Sequence, residues 1–402
     1  MRVTIAIDSF KGSLSSIEAG QSASEGILRV FPDASVQVCP IADGGEGTVL
    51  ALTSGMGDEL HDITVTGPLS EPVLCHYGIF HNSDETSQAP SKTAIIEMSG
   101  AAGITLVPEN RRNPLYTTTY GVGEVIADAI QNGCRNFIIG IGGSATNDGG
   151  VGMLQALGFQ FLDKNNQPIP RGAIGLKDLA SIHCEQVLPE LKDCHFRIAC
   201  DVTNPLCGTN GCSAIFGPQK GASPDMISEM DHWLKNYARI ACPAMNSSTC
   251  NNSDFPGAGA AGGLGFAFHV FLNAALEPGI DIVLEETHLE DFIKNSDIVI
   301  TGEGRLDDQT AMGKAPVGVA RIAKRYDLPV IALSGCVTDG AHVCNASGID
   351  AFFPILKNVV TREEAMSTET ARKNLADTAE QIFRLIHTCF LYEQNLKPGF
   401  SN

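Results

Sequence analysis

Short apolar runs alternate with amphipathic stretches in the first part of the chain. Residues 2–7 form an apolar run that predicts a buried strand, and residues 13–31 carry apolar positions at helical spacing. A second apolar run at 35–39 and a second amphipathic stretch at 46–54 follow. Because strands that alternate with helices are typical of parallel sheets, this part of the chain predicts an α/β unit.

The pattern changes in the next part of the chain. Residues 61–66, 73–80 and 94–98 predict strands without long helices between them, and the polar tract 81–93 predicts a hairpin tip or an exposed loop. Strand–helix alternation returns after residue 117. It predicts a strand at 136–141, a helix at 149–161, the end of a strand at 198–200, a loop and helix at 257–276, strands at 297–300 and 330–333 around a helix at 317–326, and a last helix at 363–391.

These patterns predict an α/β fold with two domains. One domain holds an open parallel, Rossmann-like sheet, and the other holds a partly antiparallel sheet. Since the composition shifts near Gly67, we expect the second domain to be an insertion into the first. We assign residues 1–66 and 290–402 to the first domain and residues 67–289 to the second.

The chain of 402 residues is strongly acidic, which limits its partners. It contains 27 Lys and Arg against 46 Asp and Glu, a formal net charge of -19. We therefore expect no nucleic-acid partner, which would favour a basic face, and no membrane partner. A negatively charged substrate would have to be attracted by local features, such as glycine loops, helix N-termini, a few cations or a metal ion.

Targeting and cysteine patterns predict a soluble cytoplasmic protein. The first apolar run is too short for a signal peptide and ends at Asp8, and the longest apolar stretch, 262–276, is too short to span a bilayer. The 13 cysteines include no Cys-x-x-Cys pair, so we expect reduced thiols rather than a disulfide framework or a zinc site.

Residues 140–150, Gly-Ile-Gly-Gly-Ser-Ala-Thr-Asn-Asp-Gly-Gly, form a glycine loop between a predicted strand and a predicted helix. The N–H groups of such a loop can bind phosphate oxygens. Two alternatives stay open, because 140–145 with Asp163 also matches a dinucleotide fingerprint and because glycines are common in tight turns. A second glycine motif at 257–262 follows no strand, so it is either an anion site or a close helix contact. The sequence contains no Walker A motif, which excludes a P-loop NTPase.

Acidic residues recur where predicted strands end. They are Asp8, Asp43, Asp201 and those of the loop 301–308. Carboxylates near a phosphate loop are what Mg²⁺ and a hydroxyl nucleophile require, although any one of them alone would more often cap a helix or face solvent. The nearby cations are Lys11, Arg305 and Lys314.

Several loops carry long motifs that occur in a fixed order along the chain. They are 7–15, 42–48, 140–150, 201–206, 256–266 and 301–307, together with Gln309, Thr310, Gly313 and Lys314. In these stretches the chain resembles the bacterial glycerate kinase family, which is unrelated to protein kinases and to P-loop kinases. The departures are mild: the tract 81–92 is long, and Thr203 occupies a position where an acidic residue would fit equally well.

The resemblance implies a kinase that uses ATP and Mg²⁺ to phosphorylate D-glycerate, in glycerate and glyoxylate catabolism. It also implies two α/β domains with the active site in the cleft between them. The expected product is 2-phosphoglycerate rather than 3-phosphoglycerate, although the residues themselves do not distinguish the two hydroxyls. We expect ATP and D-glycerate as the small-molecule partners and a homodimer as the candidate assembly.

On this basis we assign residues to four roles. The catalytic residues are Asp201, as general base or metal-positioning carboxylate, Lys11 and Asn204; the ATP-binding residues are Gly142, Gly143, Ser144, Thr146, Gly259 and Gly262; the substrate-binding residues are Asp8, Ser9, Arg305 and Thr301; and the metal ligands are Asp43 and Glu303.

Two other functions remain as alternatives. An NAD-dependent hydroxy-acid oxidoreductase would explain the dinucleotide fingerprint, and it would form NADH from glycerate without consuming ATP. A metabolite-binding sensor would turn over no ATP, but a passive site for an anion would not surround it with carboxylates. Phosphorylation of glycerate is therefore the function that we expect.

Overall fold

A computed structural model describes residues 1–42, 49, 59–81, 92–244 and 254–396 of the chain. The strands are β1 (Arg2–Ile7), β2 (Ser35–Val38), β3 (Glu59–Thr66), β4 (Pro72–His81), β5 (Lys92–Glu97), β6 (Cys134–Gly140), β7 (Gln160–Leu162), β8 (Ser181–His183), β9 (His195–Ala199), β10 (Ala275–Glu277), β11 (Ile298–Leu306), β12 (Val330–Val337) and β13 (Ala351–Pro354). The α-helices are Ser16–Leu28, Met98–Ala102, Tyr120–Gln131, Val151–Ala156, Cys212–Phe216, Pro224–Ala244, Ala260–Leu272, Gly279–Glu286, Leu289–Ile293, Ala315–Lys324, Val343–Ala346, Arg362–Met366 and Thr368–Leu396. Across the described ranges, no helix has both the length and the apolar character needed to cross a membrane.

The chain divides into two compact units. Unit 1 contains Met1–Asp43 and Val283–Asn402, and unit 2 contains Gly44–Ile282. Unit 2 therefore begins earlier than residue 67, where the composition shift is. The reason is that β3 is the edge strand of the sheet in unit 2, where it pairs with β4 along its whole length.

The C-terminal boundary of unit 2 also precedes the expected position at residue 289. It falls within the helix Gly279–Glu286, so that the second half of this helix groups with unit 1. The sequence shows no change in composition between Ile282 and Val283, since both residues belong to one continuous helix.

The sheet of unit 1 is parallel throughout. Its strand order is β13–β12–β11–β1–β2, and all neighbouring strands run in the same direction. When the strands are numbered within the unit, this order is 5-4-3-1-2, which reverses between β1 and β11. The open parallel sheet predicted from the sequence is therefore confirmed. Ligands of such sheets bind beyond the carboxyl ends of the strands, at the point of reversal.

The first helix of unit 1, Ser16–Leu28, is capped at its start by its own side chains. The Ser15 hydroxyl accepts the Glu18 N–H at 3.3 Å, and the Glu18 carboxylate accepts the Ser15 N–H at 2.8 Å, which forms a capping box. The helix Ser16–Leu28 is shorter than the predicted 13–31, because Phe10 and Leu14 pair across a turn that precedes the helix.

A close contact joins this helix to the long C-terminal helix Thr368–Leu396. A Cβ added at Gly26 would lie 2.0 Å from the Ala376 carbonyl oxygen, so glycine permits the two helices to approach. Ion pairs from Arg29 to Asp377 (3.0 Å) and to Glu380 (3.2 Å) border the contact. The predicted last helix, 363–391, is therefore observed in the same region but as two helices, Arg362–Met366 and Thr368–Leu396.

The main sheet of unit 2 is partly antiparallel, as predicted. Its order is β10–β9–β6–β5–β4–β3. The strands β10, β9, β6 and β5 are parallel, whereas β4 and β3 form an antiparallel edge. The parallel part ends in the loops that carry most of the candidate chemistry of this unit.

The contact at Gly26 predicts that Gly26→Ala destabilises unit 1. Alanine favours the helical conformation by about 1 kcal/mol over glycine. Overpacking against the Ala376 carbonyl oxygen lowers the free energy of unfolding by about 1–3 kcal/mol, or more if the two helices cannot move apart. We expect a net loss in the free energy of unfolding, measured by chemical denaturation. Gln21→Ala, on an exposed face of the same helix, is the control and should change stability by less than about 0.5 kcal/mol. A Gly26→Ala protein as stable as the control would contradict the close contact.

Candidate active site

The carboxyl ends of β1 and β11 bring two predicted acidic residues of unit 1 to neighbouring positions. Ile7 pairs with Gly302, and the Asp8 N–H donates to the Gly302 carbonyl at 2.9 Å. Asp8 and Glu303 come directly after this pair and therefore lie at neighbouring positions on adjacent strands. This is the point where the strand order reverses, the position at which sheets of this kind bind ligands.

The loop after β1 carries three of the predicted residues. Asp8 is only 5% exposed, and its carboxylate accepts the Ser9 N–H at 2.6 Å. Lys11 is exposed in the turn that Phe10 and Leu14 close. The loop thus presents a cation to solvent while it keeps a carboxylate close to the sheet.

The acidic segment after residue 300 is a strand rather than the predicted loop. β11 continues to Leu306 because its pairing with β12 extends beyond the end of β1. Glu303 is 9% exposed, and its carboxylate accepts the Thr310 hydroxyl at 2.7 Å. The Thr301 hydroxyl is fully buried and has no hydrogen-bond partner among the described residues. Thr301 is therefore sealed from solvent in this structure.

Asp307, directly after β11, lies between two cations. Arg305 Nε is 3.3 Å and Lys314 Nζ is 4.0 Å from its carboxylate oxygens. The side chains of Arg305 and Lys314 are 65% and 38% exposed. An anionic group arriving from solvent can therefore reach both cations at this end of the sheet.

The carboxylates of unit 1 have the chemistry that Mg²⁺ prefers. Asp8 and Glu303 offer oxygen ligands, and Mg²⁺ is commonly held by one or two carboxylates together with substrate phosphates and water. Asp43, the other predicted metal ligand, lies outside the described residues. In the part of the chain that the structure describes, no group of three or more His, Cys, Asp or Glu side chains could hold a metal. The donor set fits a cation shared with a phosphate-bearing substrate.

Three loops meet in unit 2, beyond the ends of β6 and β9. The Gly149 N–H donates to the Gly262 carbonyl at 3.0 Å, and the Gly259 N–H donates to the Asn204 carbonyl at 2.9 Å. The glycine loop 140–150, the loop after Asp201 and the second glycine motif are therefore in direct backbone contact. All six residues predicted to bind ATP belong to this group of loops.

The backbone at position 262 shows why the contact between the two glycine loops requires a glycine there. Its φ is +70°, and a Cβ at this position would lie 2.1 Å from the Thr146 carbonyl oxygen. Ala261 and Gly263 are also left-handed, with φ of +51° and +93°, so the chain turns sharply before the helix continues. Of the two interpretations of residues 257–262, close packing is observed, and the anion site stays a prediction.

The glycine loop has an exposed part and a buried part. Gly142 and Gly143 form an exposed turn, in which Gly143 has a φ of +74°. Ser144 and Thr146 are 8% and 0% exposed. The Thr146 hydroxyl and the Asn147 side-chain oxygen are buried without a hydrogen-bond partner among the described residues. Only the Gly142–Gly143 turn is therefore open to a ligand in this conformation.

A buried lysine that the sequence analysis missed lies behind this loop. Lys220 is 2% exposed, and its Nζ donates to the Ser144 hydroxyl at 2.7 Å and to the Thr146 carbonyl at 2.6 Å. Burial lowers the pKa of Lys220 to about 8. Lys220 ends a short 3-10 helix in a Pro-Gln-Lys-Gly segment, which matches no motif, so the sequence alone gives no signal for it.

Asp148 organises the start of the helix Val151–Ala156. Its carboxylate accepts the Thr119 N–H (2.8 Å), the Thr119 hydroxyl (2.9 Å), and the N–H groups of Gly150 (3.2 Å) and Gly152 (3.3 Å). Desolvation raises the pKa of this fully buried carboxyl, and the hydrogen bonds from Thr119, Gly150 and Gly152 oppose the shift. Asp148 therefore fixes the helix start and the neighbouring threonine rather than facing a ligand.

The predicted catalytic residues of unit 2 also make structural contacts. The Asp201 carboxylate accepts the Gly279 N–H at 2.9 Å, at the start of the helix Gly279–Glu286. The Asn204 amide donates to the Asn210 carbonyl at 2.9 Å and so closes its own loop. Asp201 is exposed, so a capping contact does not prevent one of its oxygens from meeting a substrate. Its catalytic role stays a prediction.

Asp163, the acidic residue of the dinucleotide fingerprint, closes a local turn. Its carboxylate accepts the N–H groups of Asn165 (2.7 Å) and Gln167 (2.9 Å). The Gln167 N–H is the main cause of a lowered pKa at Asp163. In addition, ten residues separate β6 from the next helix, whereas a dinucleotide fingerprint opens the helix directly. The geometry therefore departs from a dinucleotide site.

Comparison with known proteins gives one consistent result. The chain matches the glycerate kinase family over residues 3–387. It is 46% identical to a glycerate kinase of Haemophilus influenzae, over 96% of this chain and 99% of that protein. It is 49% identical to a glycerate 2-kinase of Escherichia coli, over 91% of this chain and 93% of that protein.

A solved structure agrees with the fold as well. The crystal structure named "putative glycerate kinase 2" from Salmonella typhimurium LT2 matches with a TM-score of 0.86 and 42% identity, over 97% of this chain and 99% of that chain. The match includes both units. The family that the loops resemble is thereby confirmed, and the chain belongs to the glycerate kinase family.

Proposed function

We propose that this protein transfers the γ-phosphoryl group of ATP to the 2-hydroxyl of D-glycerate, which yields 2-phosphoglycerate and ADP. Family membership supports phosphorylation of glycerate in general. The choice of the 2-hydroxyl rests on the Escherichia coli relative that is named a glycerate 2-kinase and shares 49% of its residues with this chain. Neither family membership nor the turn closed by Asp163 favours a dinucleotide-dependent oxidoreductase.

The exposed turn of the glycine loop is the proposed site for the nucleotide phosphates. Its N–H groups lie at the carboxyl end of β6, and backbone N–H groups in such turns bind phosphate oxygens. A protein with a net charge of -19 repels the strongly anionic ATP at long range. The hydrogen bonds that local N–H groups donate to the phosphates therefore have to outweigh this repulsion.

The cations and carboxylates of unit 1 are the proposed partners of glycerate and Mg²⁺. Lys11 and Arg305 are exposed at the ends of β1 and β11, where they can bind the glycerate carboxylate. Asp8 and Glu303 would hold Mg²⁺, with Asp43 as a further ligand. When bound, the cation would neutralise negative charge on the phosphate oxygens.

Asp201 is the proposed general base. In this role its carboxylate accepts the proton of the 2-hydroxyl while the hydroxyl oxygen forms a bond to the γ-phosphorus. The bond between the γ-phosphorus and the bridging oxygen breaks, and ADP leaves with that oxygen. Asn204, in the same loop, is the proposed partner that orients the reacting groups.

A coupled assay tests the function. The protein is incubated with ATP, Mg²⁺ and D-glycerate, and the product is offered either to enolase alone or to phosphoglycerate mutase with enolase. We expect enolase alone to convert the product, because its substrate is 2-phosphoglycerate. A product that requires the mutase would mean that the 3-hydroxyl is phosphorylated.

The same assay tests the metal. A chelator should abolish the activity, because it would remove the cation that the carboxylates are proposed to share with the phosphates of ATP. Added Mg²⁺ or Mn²⁺ should restore the activity. Glu303→Ala should need more metal for half-maximal rate. Activity that persists in chelator would remove Mg²⁺ from the proposal, and NADH formation with no ATP consumption would overturn the kinase assignment.

Asp201→Asn separates a catalytic role from a capping role. Asparagine keeps a side-chain oxygen for the Gly279 N–H, so the fold should persist, but it cannot accept the hydroxyl proton. We expect kcat to fall by roughly 10²–10⁴-fold, the usual worth of general-base catalysis. Asp163→Asn, at a turn elsewhere in unit 2, is the control and should stay active. If Asp201→Asn keeps its kcat while Asp201→Ala loses only stability, the residue is a helix cap.

A further inference from the structure

The ammonium of Lys220 is buried without a direct carboxylate partner among its described hydrogen bonds. Its Nζ donates instead to the Ser144 hydroxyl and to the Thr146 carbonyl. Lysine is almost never fully buried unless it is paired, because removing an ammonium from water is costly. Lys220 is only 2% exposed, so the presence of a charged group at this position requires a structural or functional explanation.

Two titratable groups face this ammonium in the described part of unit 2. Asp148 and Cys212 both interact with it electrostatically. Burial raises the pKa of the Cys212 thiol to about 11, so this group is neutral near pH 7. Asp148 accepts its hydrogen bonds from Thr119, Gly150 and Gly152, and its attraction for the ammonium acts without a direct hydrogen bond between the two groups. Desolvation outweighs this attraction, because the pKa of Lys220 still falls to about 8.

The position of this charge relative to the glycine loop suggests its use. The two acceptors of Lys220, the Ser144 hydroxyl and the Thr146 carbonyl, lie one and three residues after the exposed Gly142–Gly143 turn. Next to them, the Thr146 hydroxyl and the Asn147 side-chain oxygen are buried without a partner among the described residues. The backbone before these atoms is held by the Ile104 N–H, which donates to the Gly143 carbonyl at 2.8 Å, and by the Ala145 N–H, which donates to the Ala102 carbonyl at 2.9 Å. The Lys220 ammonium adds two bonds to the Ser144 side chain and the Thr146 carbonyl, and it brings the charge that those backbone contacts lack.

We propose that Lys220 is a positioning residue for the nucleotide: it holds residues 144–146 in place and sets a positive charge behind the Gly142–Gly143 turn for the phosphates of ATP. This inference rests on the proposed function, because it takes the turn to be the phosphate site. It adds a residue that contacts the loop and not the ligand. Its effect should therefore be seen in nucleotide affinity more than in the chemical step.

Proton linkage provides a readout that a purely structural residue would not give. The pKa of Lys220 lies near 8 in the free protein, so at pH 8 many molecules carry the uncharged amine. Phosphates bound in front of the loop favour the ammonium form and raise this pKa. Binding of Mg-ATP at pH 8 should therefore take up protons, and the KM for ATP should rise as the pH increases above 8.

Calorimetric titration of Mg-ATP at pH 8, in two buffers of different ionisation enthalpy, measures this uptake in the whole protein. We expect net proton uptake by the wild type and none by Lys220→Met, which keeps the length and loses the charge. In the kinase assay, Lys220→Met should raise the KM for ATP at least tenfold and leave the KM for D-glycerate within about twofold. Lys220→Arg should recover part of the affinity for ATP.

Lys235→Met is the matched control. Lys235 lies in the same unit, is 57% exposed and pairs with Asp231, so its loss should change neither KM nor proton uptake. An active wild type with no proton uptake, or a Lys220→Met protein with an unchanged KM for ATP, would overturn the role of Lys220 and leave the proposed function intact. If Lys220→Met does not fold, the wild-type uptake and the Lys220→Arg protein decide. A wild type that binds Mg-ATP with proton uptake but does not phosphorylate glycerate would refute the proposed function alone.

Discussion

Direct backbone contact between loops is the constraint on which the candidate site in unit 2 depends. The Gly149 N–H reaches the Gly262 carbonyl, and a side chain at Gly262 would collide with the Thr146 carbonyl oxygen. Loops that touch through their backbones exclude water and leave little room for adjustment. The course of residues 146–149 is therefore set by residues far away in sequence, and the Gly143 carbonyl is likewise held by the Ile104 N–H.

This packing also explains why so many polar groups are buried in unit 2. Once the loops are in contact, Ser144, Thr146 and Asp148 lose their access to water and need partners inside the protein. Thr119 supplies a partner for Asp148, and Lys220 supplies one for Ser144 and for the Thr146 carbonyl. In unit 1, by contrast, Lys11 and Arg305 are exposed at the carboxyl ends of the inner strands β1 and β11, where the proposal places an anion that arrives from solvent.

Local sequence signals predicted those features that depend on local structure. The capping box at Ser15 and Glu18 marks a helix start, and the glycine loop follows β6 as expected. Features that depend on distant partners were not predictable. The strand β3 belongs to unit 2 only because it pairs with β4, and β11 extends to Leu306 only because β12 continues beside it. The role of Lys220 likewise exists only once the loop 144–146 is folded against it.

Hydrogen–deuterium exchange with bound nucleotide tests the central claim most directly, because it reports where the phosphates bind without depending on turnover. Mg-ATP should slow amide exchange at residues 142–146, whereas D-glycerate alone should leave these amides unchanged. Slower exchange confined to residues 301–314, with residues 142–146 unaffected by Mg-ATP, would contradict the account and move the nucleotide to unit 1.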